Sequence, residues 1–240
     1  MSTSLPTIAP YAMPRTDELP AGRASWTVDP RRAVLLVHDM QRYFLAPFDH
    51  DAEPVSVLVA HLGALLRRAR ELGVPVVYTA QPGEQPPADR ALLTEFWGPG
   101  PVAAYQDDPD VVGIVDAVAP HPGDEVLTKW RYSAFQRSPL AERLAGWGRD
   151  QLLVTGIYAH IGCMVTAVDA FMRDVQPFLV ADAVADFSRD HHDQALEWTA
   201  SRCGVVTTTA EVLSGLSTGL VPGVAPGLVP GLARGEPSCG

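Results

Sequence analysis

Ala33-Val-Leu-Leu-Val-His-Asp-Met-Gln-Arg-Tyr-Phe44 is the stretch that decides the fold of this chain. Val34 to Val37 is an unbroken aliphatic run, and an apolar stretch that does not alternate with polar residues suits a strand covered on both faces. It reads as a central parallel strand. The run stops at Asp39, and in an open α/β sheet ligands bind beyond the carboxyl ends of the central strands. Asp39 therefore either caps the turn after the strand or stands where a catalytic acid would stand.

Downstream, Phe44 to Glu53 contains Pro47 and Asp49-His50-Asp51 and reads as a loop. Val55 to Leu72 places Val55, Leu58, Val59, Leu62, Leu65, Leu66, Ala69 and Leu72 at helical spacing, and Gly73 ends that helix. A second strand is predicted over Val74 to Ala80, a short helix over Val111 to Val118 and a third strand over Glu125 to Lys129. A helix over Leu140 to Trp147 follows, with Ser138 as its N-cap and Pro139 at its first position. Gln151 to Gly156 is a fourth strand, Cys163 to Arg173 a buried helix and Pro177 to Ala181 a fifth strand. Ser188 caps a helix running to Arg202, and Val205 to Thr208 is a sixth strand. This alternation predicts an α/β fold, a doubly wound, mostly parallel six-stranded sheet with helices on both faces. The long Pro-rich connection from Gln81 to Pro109 suits a lid over a pocket.

Three segments follow from the same pass. Residues 1–32, with prolines at 6, 10, 14, 20 and 30, form an extended arm whose Tyr11, Met13 and Trp26 lie on the domain or on a neighbouring subunit. Residues 33–213 form one domain, and the Gly-Leu-Val-Pro-Gly repeats make 214–240 a disordered tail. A chain of 240 residues, 47% hydrophobic, can bury a sizeable core. Its 18 basic and 28 acidic residues give a net charge of −10, which argues against nucleic acid or an anionic membrane as partner but leaves room for a small anionic substrate held by local cations. No signal peptide or membrane-length apolar run is visible. The 3 cysteines lack metal-type spacing, and an odd count suits the reducing cytoplasm. A GxGxxG phosphate loop is absent, so a nucleotide is not expected.

Three polar features fall just after predicted strands: Asp39, Lys129, and the turn Gly156-Ile-Tyr-Ala-His-Ile-Gly162. Singly, Lys129 reads as a surface cation, Tyr158 as a rim aromatic and Gly162 as a turn residue. A parallel sheet brings all three to one edge, where together they suit a shared pocket.

His38-Asp-Met-Gln41, Tyr78-Thr-Ala-Gln-Pro82, Trp97-Gly-Pro-Gly100, Lys129-Trp-Arg-Tyr-Ser-Ala-Phe135, Gly156-Ile-Tyr-Ala-His160, Val180-Ala-Asp-Ala183 and Ala185-Asp-Phe-Ser188 closely resemble the isochorismatases, in the same order from about Tyr11 to Leu213. The resemblance implies a Rossmann-like three-layer domain, in the stand-alone form without a carrier domain. It implies hydrolysis of the enolpyruvyl ether of isochorismate, or of its 2-amino-2-deoxy analogue, to pyruvate and a dihydro-dihydroxybenzoate or dihydro-hydroxyanthranilate, in siderophore or phenazine-type biosynthesis. Asp39 is then the general acid and Lys129 its catalytic neighbour. Gly162 stands where the related cysteine amidohydrolases keep their nucleophile. Gln81 and Arg90 are expected to bind the substrate's carboxylates and hydroxyl, Tyr158 and the Gly162 amide an anionic oxygen, and Phe44 and Trp97 to wall the pocket.

Similar proteins associate, so a homodimer or higher homo-oligomer is expected. No cofactor is expected. His160, His191, His192 and Asp49-His50-Asp51 invite a metal reading, but protonating a vinyl ether needs no Lewis acid, so no metal is expected either. Two rival readings stand beside this one: a cysteine amidohydrolase using Cys163, and a non-catalytic docking subunit of a biosynthetic assembly.

Overall fold

Every residue of β1 (Ala33–His38) is buried, and its side chains divide by parity between two apolar layers. Leu35 and Val37 pack on one side with Leu58, Leu62, Leu65 and Leu66 of the helix Val55–Glu71. Val34 and Leu36 pack on the other with Leu140, Leu144, Ala170, Ala195 and Leu196. Successive strand side chains point to opposite faces, so a strand apolar from Ala33 to Val37 needs cover on both. Each such aliphatic side chain contributes about 1.5–3 kcal/mol through burial. The computed structural model describes Leu5 and residues 7–218.

The remaining strands are β2 (Val76–Ala80), β3 (Glu125–Thr128), β4 (Gln151–Ile157), β5 (Gln176–Ala185) and β6 (Val205–Thr207). They line up in the order β3-β2-β1-β4-β5-β6, and every pairing is parallel. The expected doubly wound α/β sheet is therefore the one observed. The connections run outward in one direction from β1 and in the other from β4, so the ends of these two strands form the switch point at which open sheets bind ligands. Among the described residues, no helix is long and apolar enough to cross a membrane.

Several expected elements shift, each for a local reason. The short helix predicted over Val111 to Val118 is two single turns, Pro109–Val112 and Asp116–Val118. Between them the chain extends to pair with the segment after β1, through Arg42 N–H to Gly113 O at 2.9 Å and Val115 N–H to Met40 O at 3.0 Å. The fifth strand runs on to Ala185 because its pairing with β4 changes register between Val154 and Gly156. That irregularity lets Asp182 turn out to accept from the Thr209 N–H at 2.6 Å and the Thr209 hydroxyl at 2.8 Å. The helix predicted from Cys163 is preceded by one wide turn, Ala159–Cys163, and its regular part is Met164–Phe171. The helix expected over Leu140 to Trp147 starts at Leu140 and runs to Gly146, but Pro139 and not Ser138 takes the cap position, the Leu140 N–H still donating to the Ser138 hydroxyl at 3.3 Å.

At the C-terminal boundary, 214–218 belong to the helix Thr209–Thr218 instead of the expected tail. Its Val212 and Leu216, four apart, are buried against the helix Val55–Glu71 layer, a pair too sparse to stand out among the surrounding glycines. The rest of the predicted tail, 219–240, lies outside the described residues.

The arm lies on the domain. Ile8 and Met13 are buried in the core, Trp26 packs against it, and among the described residues the only regular structure before β1 is the turn Thr16–Glu18. Tyr11 anchors the arm. The Asp186 N–H donates to its hydroxyl at 2.7 Å, and the hydroxyl reaches His192 Nδ1 at 3.2 Å. His192 Nε2 is 2.9 Å from the Ala181 carbonyl, which only accepts, so Nε2 carries the ring proton and Nδ1 receives the tyrosine's. Burial holds His192 down to about 4, so this neutral form persists at neutral pH. Tyr11→Phe strands a buried amide and a buried ring nitrogen, and it should cost about 1–2 kcal/mol. A urea denaturation midpoint equal to wild type would show that the arm is not held this way.

Candidate active site

The cavity at the switch point has a volume of about 480 Å³, within the usual range for small-molecule sites. Asp39 and Lys129 form its floor. Asp39 follows β1 with φ +48, a left-handed conformation that aspartate adopts more readily than most residues. Thr79, beside His38 in the β1–β2 register, holds it there: its hydroxyl donates to Asp39 Oδ1 at 2.6 Å and accepts from the Asp39 N–H at 3.2 Å. Lys129 leaves the end of β3 and donates from Nζ to Asp39 Oδ2 at 2.9 Å. The two side chains are only 3% and 6% exposed, so this is a buried ion pair. Burial pushes the Asp39 carboxyl up, but His38, the Lys129 ammonium and the Thr79 hydroxyl outweigh it and hold the group below the ordinary carboxylate range.

His38 lies beside this pair, 1% exposed, with Nδ1 2.7 Å from the Ile157 carbonyl. The carbonyl fixes the proton on Nδ1, and burial pushes the ring down to about 4, so it is neutral at neutral pH. Gly162 sits in the wide turn after β4, directly against the His38 ring.

The other expected residues gather around the same cavity. Gln81 and Arg90 line it, as do Phe44, Trp97 and Tyr158. Arg90 is 5% exposed; its Nε–H donates to Gly98 O at 2.6 Å, and no carboxylate among the described residues pairs with it. Burial lowers its affinity for its proton, yet a guanidinium keeps that proton in any protein environment. It is a buried cation with its charge available to an anion. Trp97 is fixed from behind, its Nε1–H donating to the Tyr132 hydroxyl at 2.7 Å.

Tyr158 is a correction. Its hydroxyl donates to the Phe44 carbonyl at 2.7 Å, so its one proton is spent inside the wall and is not offered to a substrate anion. What it presents to the cavity is its ring, tilted 37° against Phe187 at 4.3 Å between centroids.

Residues that went unassigned from sequence complete the site. Thr79 and Gln41 occur inside quoted motifs, but their service is to the backbone and to another side chain, which a motif does not display. Gln41 receives the Gln81 N–H at 2.7 Å and donates to the Gln81 carbonyl at 2.9 Å, clamping that residue's backbone. Arg131 and Phe187 also line the cavity. Arg131 donates to the Asp89 carbonyl at 2.7 Å, tying the Lys129 loop to the Pro-rich connection above.

Cys163, the rival nucleophile, is fully buried, and its thiol faces the Thr155 carbonyl at 3.8 Å. Burial raises it well above the ordinary thiol range, the reverse of what a nucleophilic cysteine needs. The histidines behave as clamps. The Asp186 carboxylate accepts from the backbone and ring of His160 at 2.5 and 2.7 Å and from the Phe187 N–H at 2.8 Å. His191 stacks on His160 with centroids 4.4 Å apart and planes 13° apart. The ligand atoms of His160, Asp186 and His191 lie within 4.8 Å of one another, with the Asp186 carboxylate already accepting from His160 and Phe187. His50 of the Asp-His-Asp trio is turned to the Leu45 carbonyl at 3.0 Å.

The family model described as the isochorismatase domain matches residues 33–211. The phenazine biosynthesis protein PhzD of Pseudomonas fluorescens is 54% identical over 211 residues, covering 88% of this chain and 99% of that one. A Bacillus subtilis isochorismatase is 52% identical over 213 residues, covering 89% and 67%. Among solved structures, a cysteine hydrolase from Pseudomonas syringae superposes with a TM-score of 0.72 at 26% identity, covering 84% and 99%. With a domain match from β1 into the final described helix and relatives of this identity over most of its length, the chain belongs to the isochorismatase family of hydrolases.

Proposed function

We propose that this enzyme hydrolyses the enolpyruvyl ether of isochorismate or 2-amino-2-deoxyisochorismate, releasing pyruvate. The observation that carries the reading is the buried Asp39–Lys129 pair on the floor of a cavity whose wall holds Arg90, which has no acidic partner among the described residues. The names of the relatives, an isochorismatase and a phenazine biosynthesis protein, support it. Both substrates are dicarboxylates, which suits a cavity with more cationic than anionic groups.

The chemistry needs no protein nucleophile. Asp39 gives its proton to the terminal methylene of the enol ether, which leaves an oxocarbenium ion at the carbon bearing oxygen. Water adds to that carbon and loses a proton to the Asp39 carboxylate, and the hemiketal collapses to pyruvate and the ring alcohol. Arg90 suits a substrate carboxylate because its planar fork donates two parallel hydrogen bonds. Gln81, its backbone clamped by Gln41, offers a side-chain amide to the ring substituents. Phe44, Trp97, Tyr158 and Phe187 exclude bulk water, which strengthens every electrostatic contact inside.

The resting site is in the wrong protonation state for its first step. An ordinary aspartate is protonated only about one part in a thousand at pH 7, a cost of about 4 kcal/mol, and Asp39 in its ion pair lies lower still. Substrate binding corrects this. A carboxylate brought against Lys129 shares the ammonium with Asp39 and adds negative charge beside it, and both effects raise the acid's pKa. The enzyme therefore takes up about one proton as substrate binds. The same reading carries a cytoplasmic location, which the thiols of Cys163 and Cys203, both buried and unbridged, support, and a homo-oligomer.

A pyruvate-release assay with the two substrates side by side tests the reaction, and inertness toward both would sink it. Asp39→Asn, which keeps the shape and removes the acid, should lower kcat by about 10³-fold or more; turnover near wild type would remove Asp39 from the mechanism.

Proton uptake gives a separate prediction. Because the acid form is the working form and its pKa in the free site is depressed, kcat/KM should fall about tenfold per unit as pH rises through neutrality. Calorimetry with a non-reacting analogue, the enolpyruvyl group reduced to a lactyl ether, should show about one proton taken up by wild type and none by Asp39→Asn. Equal, buffer-independent heats for both proteins would show that the acid is already protonated before binding.

A further inference from the structure

We propose that His38 commits this cavity to chemistry without a protein nucleophile: its imidazole fills the volume that any side chain at position 162 would need. The inference deepens the ether-hydrolysis reading and rests on it only for its meaning, since the packing stands by itself. A Cβ placed on Gly162 would lie 2.0 Å from His38 Cε1, 2.6 Å from Nε2 and 2.9 Å from Nδ1. Non-bonded carbons settle at about 3.5–4.0 Å, so even a methyl group cannot enter without moving the ring.

The ring is tethered, and the space beside it is the substrate cavity that His38 also lines, so a ring displaced by a side chain at 162 would intrude on the site. The imidazole is buried to 1%, and its Nδ1–H is tied to the Ile157 carbonyl at 2.7 Å. Its backbone is enclosed as well: a Cβ on Gly156, which has φ +100, would lie 2.2 Å from the His38 carbonyl oxygen. Two glycines thus close on one residue, Gly156 of β4 on its main chain and Gly162 of the turn that follows on its side chain.

Space-filling by itself would be better served by an aliphatic residue. His38 Nε2 is buried without a hydrogen-bond partner among the described residues, a cost that Val or Ile would not carry. The imidazole reaches further from β1 than a β-branched side chain does, and that reach covers position 162. This is the position where the resemblance places the thiol of the cysteine amidohydrolases, whose fold is shared by the Pseudomonas syringae cysteine hydrolase. With the volume closed, Asp39 faces no thiol to deprotonate. Beyond Lys129 and Thr79 its proton has only the substrate to go to.

The test exchanges volume between the two positions in the full chain carrying Cys239→Ser, so that the tail thiol is not counted. Gly162→Ala should lower Tm by about 5 °C, and His38→Ala/Gly162→Ala should recover at least half of that loss, because the methyl then occupies space the ring has left. For a readout that stability does not supply, iodoacetamide labelling followed by intact mass compares Gly162→Cys with His38→Ala/Gly162→Cys. The thiolate displaces iodide to give a thioether, and the double variant should gain one label about tenfold faster than the single one.

A wild-type Tm for Gly162→Ala, a double variant no more stable than Gly162→Ala, or equal labelling rates would each overturn the assignment of His38. None of these outcomes depends on turnover. A wild-type enzyme inert in the pyruvate assay therefore defeats the ether-hydrolysis reading separately from the role of His38.

Discussion

A carboxylate and an ammonium held 2.9 Å apart out of contact with water are the constraint around which this molecule is arranged. Withdrawing two ions from solvent costs several kcal/mol for each, and the attraction between them offsets this only when the geometry is good and the spare lone pairs are satisfied. Here the second oxygen of Asp39 is satisfied by Thr79, whose position is fixed by the pairing of β2 with β1. Lys129 is fixed by its own backbone, whose N–H donates to Ala80 O at 2.9 Å at the end of the neighbouring strand. Three adjacent strand ends thus share one electrostatic task. The sheet order is what brings them together.

A net charge of −10 would be expected to repel a dicarboxylate, yet the field that a bound substrate meets is local. At physiological ionic strength exposed charges are screened within about 8 Å, whereas groups lining a closed cavity interact through low-dielectric surroundings. Lys129, Arg90 and Arg131 line the cavity against two acids, Asp39, which pairs with Lys129, and Glu95. The surplus is positive where the ligand sits, whatever the sign of the outer surface.

The Pro-rich connection over the cavity is joined to the loop that follows Lys129 by Trp97 to Tyr132, by Arg131 to the Asp89 carbonyl and by Arg137 to the Asp89 carboxylate. The loop is in turn anchored below, where Ser133 and Gln136 donate to Asp169 at 2.7 and 2.8 Å. Cover and charge are therefore mechanically linked: the segment that excludes water rests on the segment that carries the ammonium. Exclusion of water is what gives a single proton transfer its leverage, because the same ion pair exposed to solvent would be worth little.

The primary sequence determined the central strand, the α/β alternation and the edge of the sheet at which polar groups collect, because an aliphatic run that ends in Asp39 has one compatible setting in a parallel sheet. The ordered set of motifs carried the family and with it the expected roles of Asp39, Lys129, Gln81 and Arg90. Tertiary structure alone decided what each side chain has left to offer. The Tyr158 hydroxyl is consumed by the Phe44 carbonyl, Thr79 and Gln41 act on partners 40 residues away, and His38 presses on Gly162 from another strand. Hydrogen-bond capacity and free volume are properties of neighbours in space. Local spacing along the chain records periodicity and turn chemistry, and it holds no account of which lone pair is already taken or which gap is already filled.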